Sequence, residues 1–357
     1  MSDKSPLVSV IVYNRNYGPF LEECLQSVVE QTYENIEILF TDNASTDESW
    51  EVALDFSRRH PDRMSISRHR KNIGSSANFR HWHSQLNGSY YIGLCSDDVL
   101  DPSCINRCVG LMENNKDCAF TIFSRSILNE LSTNFTEPPL LDRDCILDPP
   151  SLALLYMMTV FNSSNSQVFY RATQSPHNTV IPLYEEGQFR SFFRTRVQDF
   201  LLALEHPVIF LTDPLVKQRI HKNNHGRFAE QHLLDVMGQY ALNFEFREHV
   251  EILKPGLLEV FDEQLILATK KHAGTAIRYA ARFLIDGNQL LAERYLHLAL
   301  SLDVGISDQD EFKLVKNFLD IENEIPLDEI TKQLKNAPNL VQRQRSYEPP
   351  KPWRHLE

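Results

Sequence analysis

This chain lacks any run of apolar residues near the ~18 that a membrane-spanning helix needs. The N-terminus, Met1-Ser2-Asp3-Lys4-Ser5-Pro6, has no apolar h-region, so no signal peptide is expected. Both absences lead to the expectation of a cytoplasmic chain, free or peripheral at a membrane. No C-x-x-C pair is present. The six cysteines (Cys24, Cys95, Cys104, Cys108, Cys118, Cys145) fall in the first half. Cys104 and Cys108 stand one helical turn apart, but no His or Cys accompanies them at zinc spacing. All six are read as reduced thiols, most of them core-packed. A basic stripe is missing too. Lys and Arg number 36 against 48 Asp and Glu, for a net charge of −12. That balance argues against a nucleic-acid partner. It leaves room for a nucleotide, because a bound cation reconciles acidic residues with phosphates.

What is present is a core. Hydrophobic residues make up 42% of 357 positions, and the length suits roughly two to three domains at ~100–200 residues each. Leu7 to Val12 reads as a buried β-branched strand. Tyr13-Asn14-Arg15-Asn16-Tyr17-Gly18 is a loop, and Pro19 suits the first turn of the helix that follows. Ile36 to Thr41 is a second strand. Ser45-Thr46-Asp47-Glu48 has the capping-box pattern, which predicts a helix from there to about Arg59. Met64 to Arg68 reads as a weaker strand, 75–86 as a helix, and Tyr90 to Leu94 as a buried strand. This alternation predicts an α/β fold with a doubly wound, mainly parallel sheet flanked by helices.

From about Ala119 to Phe193 the pattern blurs, with breaks at Glu137-Pro138-Pro139 and Asp148-Pro149-Pro150. Val208 to Leu211 is a later strand. From Arg227 the periodicity is helical only. Between Gly274 and Asp303, small and large apolar residues recur around Asp286-Gly287-Asn288, a pattern that resembles one tetratricopeptide helical hairpin. No second copy follows in register. One such pair buries little surface alone, so it is expected to pack on other helices, on the first domain, or on a second copy as a homo-oligomer. The domains are therefore read as 1–226, a helical domain 227–340, and an extended or disordered tail 341–357.

The chemistry concentrates in Leu94-Cys95-Ser96-Asp97-Asp98-Val99-Leu100-Asp101-Pro102. Two adjacent carboxylates follow a buried strand, at the sheet end where open α/β folds bind ligands. Carboxylates there suit a hard divalent cation such as Mn²⁺ or Mg²⁺, which in turn holds a diphosphate. Alternatively, Asp97 and Asp98 are turn residues, a common use of Asp.

The surrounding blocks decide between these. Val8 to Arg15, Leu21 to Val28 and Gln31-Thr32-Tyr33 resemble the opening of family 2 glycosyltransferases. So do Ile38 to Asp47, Asn72-Ile73-Gly74, Asn78-Phe79 and Ser96-Asp97-Asp98. The resemblance covers roughly residues 6 to 120. It implies a GT-A fold, and inverting, metal-dependent transfer of a sugar from a nucleoside-diphosphate donor, taken as UDP-linked. The implied acceptor is a hydroxyl on a glycan or lipid-linked glycan, as in surface polysaccharide assembly. By the same resemblance Asp42 accepts the imide N–H of the base, and Tyr13, Asn14 and Arg15 hold base and ribose. Asp97 faces the ribose or a metal-bound water, and Asp98 ligates the metal. Here Cys95 and Ser96 stand where the family often carries another Asp, and Cys95 need not participate. His221 falls where a metal- or diphosphate-proximal histidine occurs. Arg219 pairs with a phosphate oxygen or with a nearby acid. Asp199, in Val197-Gln198-Asp199-Phe200, is the candidate base for the acceptor hydroxyl, with Glu185-Glu186 as competitor. Trp82 forms part of an acceptor wall or packs in the core.

Two other classes compete. A sugar-nucleotide pyrophosphorylase would carry a glycine-rich, basic loop after the first strand, and Tyr13 to Gly18 is too poor in glycine. A catalytically silent glycosyltransferase-like module, binding a partner through its helical C-terminus, draws support from Cys95 and from Gln198 where Glu is usual.

Overall fold

The β-branched run after Pro6 forms the strand around which the sheet is built. The computed structural model describes residues 5–74, 77–78, 81–82, 85–129, 134–158, 164–174, 188–221, 224, 230–320, 326–337, 340 and 346–356, with 188–195, 327 and 335 as main chain only. In order come β1 (Val8–Asn14), α1 (Gly18–Val29), β2 (Ile36–Asp42), α2 (Ser49–Arg59), β3 (Met64–Arg68) and β4 (Tyr90–Cys95). These four strands pair in parallel, with β1 between β2 and β4 and β3 outside β2. Val8, Val10, Ile11 and Val12 are all fully buried, which is why the run is continuously apolar rather than alternating. Where β4 begins, Gly88 donates its N–H to Ser9 Oγ at 2.9 Å. A Cβ at Gly88 would come within 2.6 Å of the Ser9 nitrogen and 2.5 Å of the Tyr90 carbonyl oxygen, so only glycine fits.

Beyond β4 the sheet becomes mixed. The elements are β5 (Val99–Leu100), α3 (Cys104–Asn114), β6 (Phe120–Leu128), β7 (Asn134–Thr136), β8 (Cys145–Leu147), α4 (Ser151–Met158), β9 (Val168–Arg171), α5 (Gln188–Ala203), β10 (Val208–Arg219) and, near the end of the chain, β11 (Trp353–His355). The main path of the sheet runs β11-β8-β10-β6-β9-β4-β1-β2-β3. The expected α/β sheet with flanking helices is present. Its parallel character is strongest in the first four strands. β9 enters antiparallel between β4 and β6.

The helix expected at Ser45 starts instead at Ser49, and the capping box does not form. Ser45 turns its hydroxyl to Asp42. Asp47 accepts the Ser49 N–H at 3.1 Å and the Gly18 N–H at 2.9 Å.

The chain divides into two compact units. One comprises 1–152, 162–221 and 346–357, and the other 153–161 and 222–345. The stretch read from sequence as a tail therefore contributes β11, antiparallel to β8, and 153–161 groups with the helices. The helical unit contains α6 (Leu234–Leu253), α7 (Leu258–Ile285), α8 (Gln289–Leu302), α9 (Asp310–Asp320) and α10 (Leu327–Asn336). α7 and α8 form the expected hairpin. Gly287 takes φ +74° at the turn, and the Asn288 side chain caps α8 by accepting the Leu291 N–H at 3.1 Å. Ala276, Ala280, Ala292 and Ala299 let the helices approach closely. Tyr295 stacks on Tyr279 and Phe283, with centroids 5.0 and 5.5 Å apart. α7 is 28 residues long, well beyond one repeat helix. Among the described residues no helix is long and apolar enough to cross a membrane.

Candidate functional site

The C-terminal ends of β1, β2 and β4 meet at one rim of the sheet. Asn14 is the pin. Its Nδ2 donates to Asp42 Oδ1 and Ser45 Oγ, each at 3.1 Å, and its Oδ1 accepts from Ser96 Oγ at 2.9 Å. Asn78 donates to the carbonyls of Asn14 and Thr41, and Asn43 holds Asn72 and the Ile73 N–H. The Asn72-Ile73-Gly74 and Asn78 blocks thus tie the loops to the strand ends. Trp82 donates to the Phe40 carbonyl at 2.9 Å, a contact that fixes its ring to the protein.

Asp42 is fully buried. Its carboxylate accepts from Asn14 Nδ2, the Ser45 hydroxyl, the Ser45 N–H at 3.1 Å and Arg68 Nε at 3.1 Å. A carboxylate has about four lone-pair directions, and these four donors fill them. Asn14 is likewise engaged within the protein. Arg15 is exposed beside them on the β1 loop.

The turn after β4 carries the acids. Asp97 is 6% exposed and Asp98 is 1%. Asp98 Oδ2 accepts from Ser166 Oγ at 2.7 Å, and Oδ1 accepts the Arg219 main-chain N–H at 3.1 Å. Burial first, and the Asp97 charge second, push the Asp98 carboxyl up to about 8. Tyr17 is pushed well above its ordinary value, chiefly by burial and then by Asp97. Asp97 Oδ2 lies 3.2 Å from His221 Nε2, and the His221 ring packs on Phe20 and Tyr17. The Arg219 guanidinium donates to the Asp97 carbonyl at 3.1 Å, pairs with Glu23 and lies over the Phe20 ring. Of the two partners read for Arg219, the structure supplies the nearby acid.

Cys95 completes the group. One ligand atom each from Cys95, Asp97 and Asp98 lies within 4.8 Å of the others. Two carboxylates and a sulfur this close, with Asp98 held above its ordinary range by burial and the Asp97 charge, suit a divalent cation. The donor set therefore fits the expected metal.

Asp199 is placed differently. It is fully buried and accepts from the Tyr170 hydroxyl at 2.6 Å. Tyr170 pairs with Tyr91, roughly 13 Å down β4 from Cys95 at ~3.3 Å per residue. Tyr91 and Cys95 share a sheet face by strand alternation. A base must come within hydrogen-bond reach of the acceptor oxygen; here the Asp199 carboxylate is enclosed and engaged by Tyr170. Glu185 and Glu186 lie outside the described residues.

Sequence reasoning set Cys95 aside and did not single out Asn165, Ser166 or Glu23. Ser164 to Gln167 forms a capping box around a single helical turn, and that S-x-x-Q pattern was the available signal for the turn that aims Asn165 and Ser166.

Residues 8–137 match the family model described as glycosyl transferase family 2. The chain is 33% identical over 121 residues to chondroitin synthase of Escherichia coli, which spans 32% of this chain and 17% of that protein. It is 35% identical over 102 residues to glycosyltransferase GlyG of Streptococcus pneumoniae, 28% of this chain and 33% of that one. The matched stretches cover less than half of these relatives. Among solved structures, mannosyltransferase PcManGT of Pyrobaculum calidifontis, in complex with GDP-Man and Mn²⁺, superposes with a TM-score of 0.52 at 14% identity over 96% of this chain and 89% of that one. S. aureus TarS 1–349 with UDP-GlcNAc gives 0.50 at 16% identity over 87% and 90%. These two share the fold.

Proposed function

We propose that this chain, which belongs to glycosyltransferase family 2 through its residues 8–137, transfers a sugar with inversion from a nucleoside-diphosphate donor to a hydroxyl acceptor. The observation that carries this reading is the buried Asp97-Asp98 pair at the C-terminal end of β4. In this proposal Asp98 is the principal metal ligand and Asp97 faces the metal or ribose. Ser166 and the Arg219 main-chain N–H orient Asp98, and His221 orients Asp97 or joins it as a ligand. Bound Mn²⁺ or Mg²⁺ supplies Lewis-acid stabilisation of the departing diphosphate. Tyr13 and the exposed Arg15 face the nucleoside, on a rim held in shape by Asn14, Asp42, Ser45 and Ser96. Arg219, paired with Glu23, acts on the phosphates through its field.

The donor is taken as UDP-linked and the acceptor as a glycan or lipid-linked glycan. Homo-oligomerisation through the helical unit is part of the same proposal. The intact acidic pair favours an enzyme over a silent binding module.

The test is a nucleotide panel read by thermal shift, with UDP, GDP, UDP-GlcNAc and GDP-Man, each with and without Mn²⁺. A ligand that binds only the folded state stabilises it by RT ln(1 + [L]/Kd), about 2.7 kcal/mol at a hundred times Kd. The expected result is Mn²⁺-dependent stabilisation by one nucleotide family. No Mn²⁺-dependent shift with any of the four overturns the reading.

A further inference from the structure

Cys95 occupies a place in the acidic turn that the proposed function leaves without a role. Its main-chain N–H donates to Ser166 Oγ at 3.0 Å, and that same hydroxyl donates to Asp98 Oδ2 at 2.7 Å. One serine therefore fixes Cys95 and Asp98 to each other. The Cys95 side chain is held as firmly. Its Sγ lies 2.9 Å from the Tyr13 hydroxyl. Asn165 Nδ2 donates to that hydroxyl oxygen at 2.8 Å. With its proton turned to the sulfur, the Tyr13 hydroxyl would support Cys95 as a metal-bound thiolate. The other five cysteines are fully buried, while Cys95 keeps partial exposure.

Two donors on one ion are separated by at most the sum of their bond lengths, ~4.4 Å for sulfur and oxygen. The ligand atoms of Cys95, Asp97 and Asp98 lie within 4.8 Å of one another, so a few tenths of an ångström of closure brings all three onto one ion. Thiolate sulfur favours the softer divalent metals, and carboxylate alone favours Mg²⁺ or Ca²⁺. We propose that Cys95 Sγ is a direct ligand of the site's divalent cation and makes the site select thiophilic ions over Mg²⁺. On binding, the thiol proton leaves to solvent and the sulfur lone pair goes to the metal. Tyr13 and Asn165 support the ligand from behind, as outer partners do at other metal sites. The inference rests on the proposed metal site and deepens it.

The probe is Co²⁺, titrated into the full chain alone and with UDP, and followed by near-ultraviolet absorption. A thiolate-to-cobalt charge-transfer band should appear in the native protein. It should be absent in Cys95→Ser and Cys95→Asp, which should still bind Co²⁺ by calorimetry. Loss of the ligand should weaken Cd²⁺ roughly tenfold to a hundredfold and leave Mg²⁺ within about twofold. Competition on the native protein, which needs no variant to fold, should show Cd²⁺ displacing Mn²⁺ at far lower concentration than Mg²⁺ does. If Co²⁺ binds without the band, or Cd²⁺ and Mg²⁺ compete equally, the Cys95 inference fails and the metal site stands. If Co²⁺ does not bind with or without UDP, both fail together.

Discussion

Strand β4 has polar networks at both ends, and the two ends are built on opposite plans. At its C-terminal end Asp97 and Asp98 crowd together, and the nearest guanidinium, that of Arg219, is turned to Glu23 and a main-chain carbonyl. At its N-terminal end Arg171 answers every neighbour. Its guanidinium donates to the Tyr90 hydroxyl at 2.9 Å, to the Met112 carbonyl at 2.7 Å and to the Cys118 carbonyl at 3.2 Å. Tyr90 in turn donates to Glu113. The carbonyls of Met112 and Asn115 belong to the C-terminal turn of α3, where a cation is favoured by the helix dipole. Asp199 sits near this lower end with the Tyr170 hydroxyl on it. The lower end has its charges matched by the protein itself, as a structural network requires. The upper end packs two buried carboxylates side by side, and such a pair in a cleft is a common mark of a functional site.

The largest expected effect belongs to the upper end. Asp98→Asn should remove Mn²⁺-dependent UDP binding, a loss of several kcal/mol if Asp98 is a principal ligand. Equal UDP affinity with and without Mn²⁺ in both proteins, by calorimetry, would make the two ends equivalent. The same variant gives a pH signature in metal-free buffer. The Asp98 carboxyl stands at about 8 in the folded chain against an ordinary 3.8. A raised carboxyl contributes stability that is present below the unfolded value and lost as pH climbs through the folded one. Native protein in chelator should therefore lose stability from about pH 4 to 8, and Asp98→Asn should flatten that slope. Identical profiles would remove the argument from the buried pair.

Next comes the lower end. Arg171→Ala leaves the carbonyls of Met112 and Cys118 without this donor and should cost about 3 kcal/mol of stability. Donor binding should be unchanged. Denaturant unfolding paired with UDP calorimetry checks this, and a variant of native stability but weakened UDP binding would reverse the assignment. The smallest effect expected is that of Asp199→Asn. It keeps the shape and an acceptor for Tyr170, so stability should fall by about 1 kcal/mol and turnover by less than tenfold. A fall of 10²–10⁴ in turnover at native stability, the usual worth of a general base, would mean that Asp199 opens to the acceptor. Glu185→Gln and Glu186→Gln, assayed beside it, identify the base if Asp199 is silent.

Much of the upper end was legible in the sequence because it is local. Asp97 and Asp98 follow an apolar run, and a strand followed by a polar turn must put them at the sheet end. β1, β2 and β4 were readable for the same reason, each being largely apolar between breakers. The bonds to Asp42 come from Asn14, Ser45 and Arg68, and only the first two lie in motifs that drew notice. Cys95 was set aside on chemistry that the sequence could not supply. Tyr13, against its sulfur, and Asn165, bonded to Tyr13, lie far apart in the chain. The antiparallel insertion of β9 was hidden for a similar reason: its neighbours β4 and β6 are both distant in sequence, and the blurred stretch around it gives no periodicity to follow.

The pairing of β11 with β8 has a consequence in time as well as space. During synthesis the β8 edge emerges about two hundred residues before the strand that covers it, and the helical unit is made in between. Until Trp353 to His355 leave the ribosome, Cys145-Ile146-Leu147 is an open, apolar strand edge, the kind that recruits strands from other chains. The nascent protein should therefore need a chaperone, or quick capture of its own last strand, more than the finished fold suggests. A chain released at about residue 345 should aggregate through that edge even with its acidic turn complete.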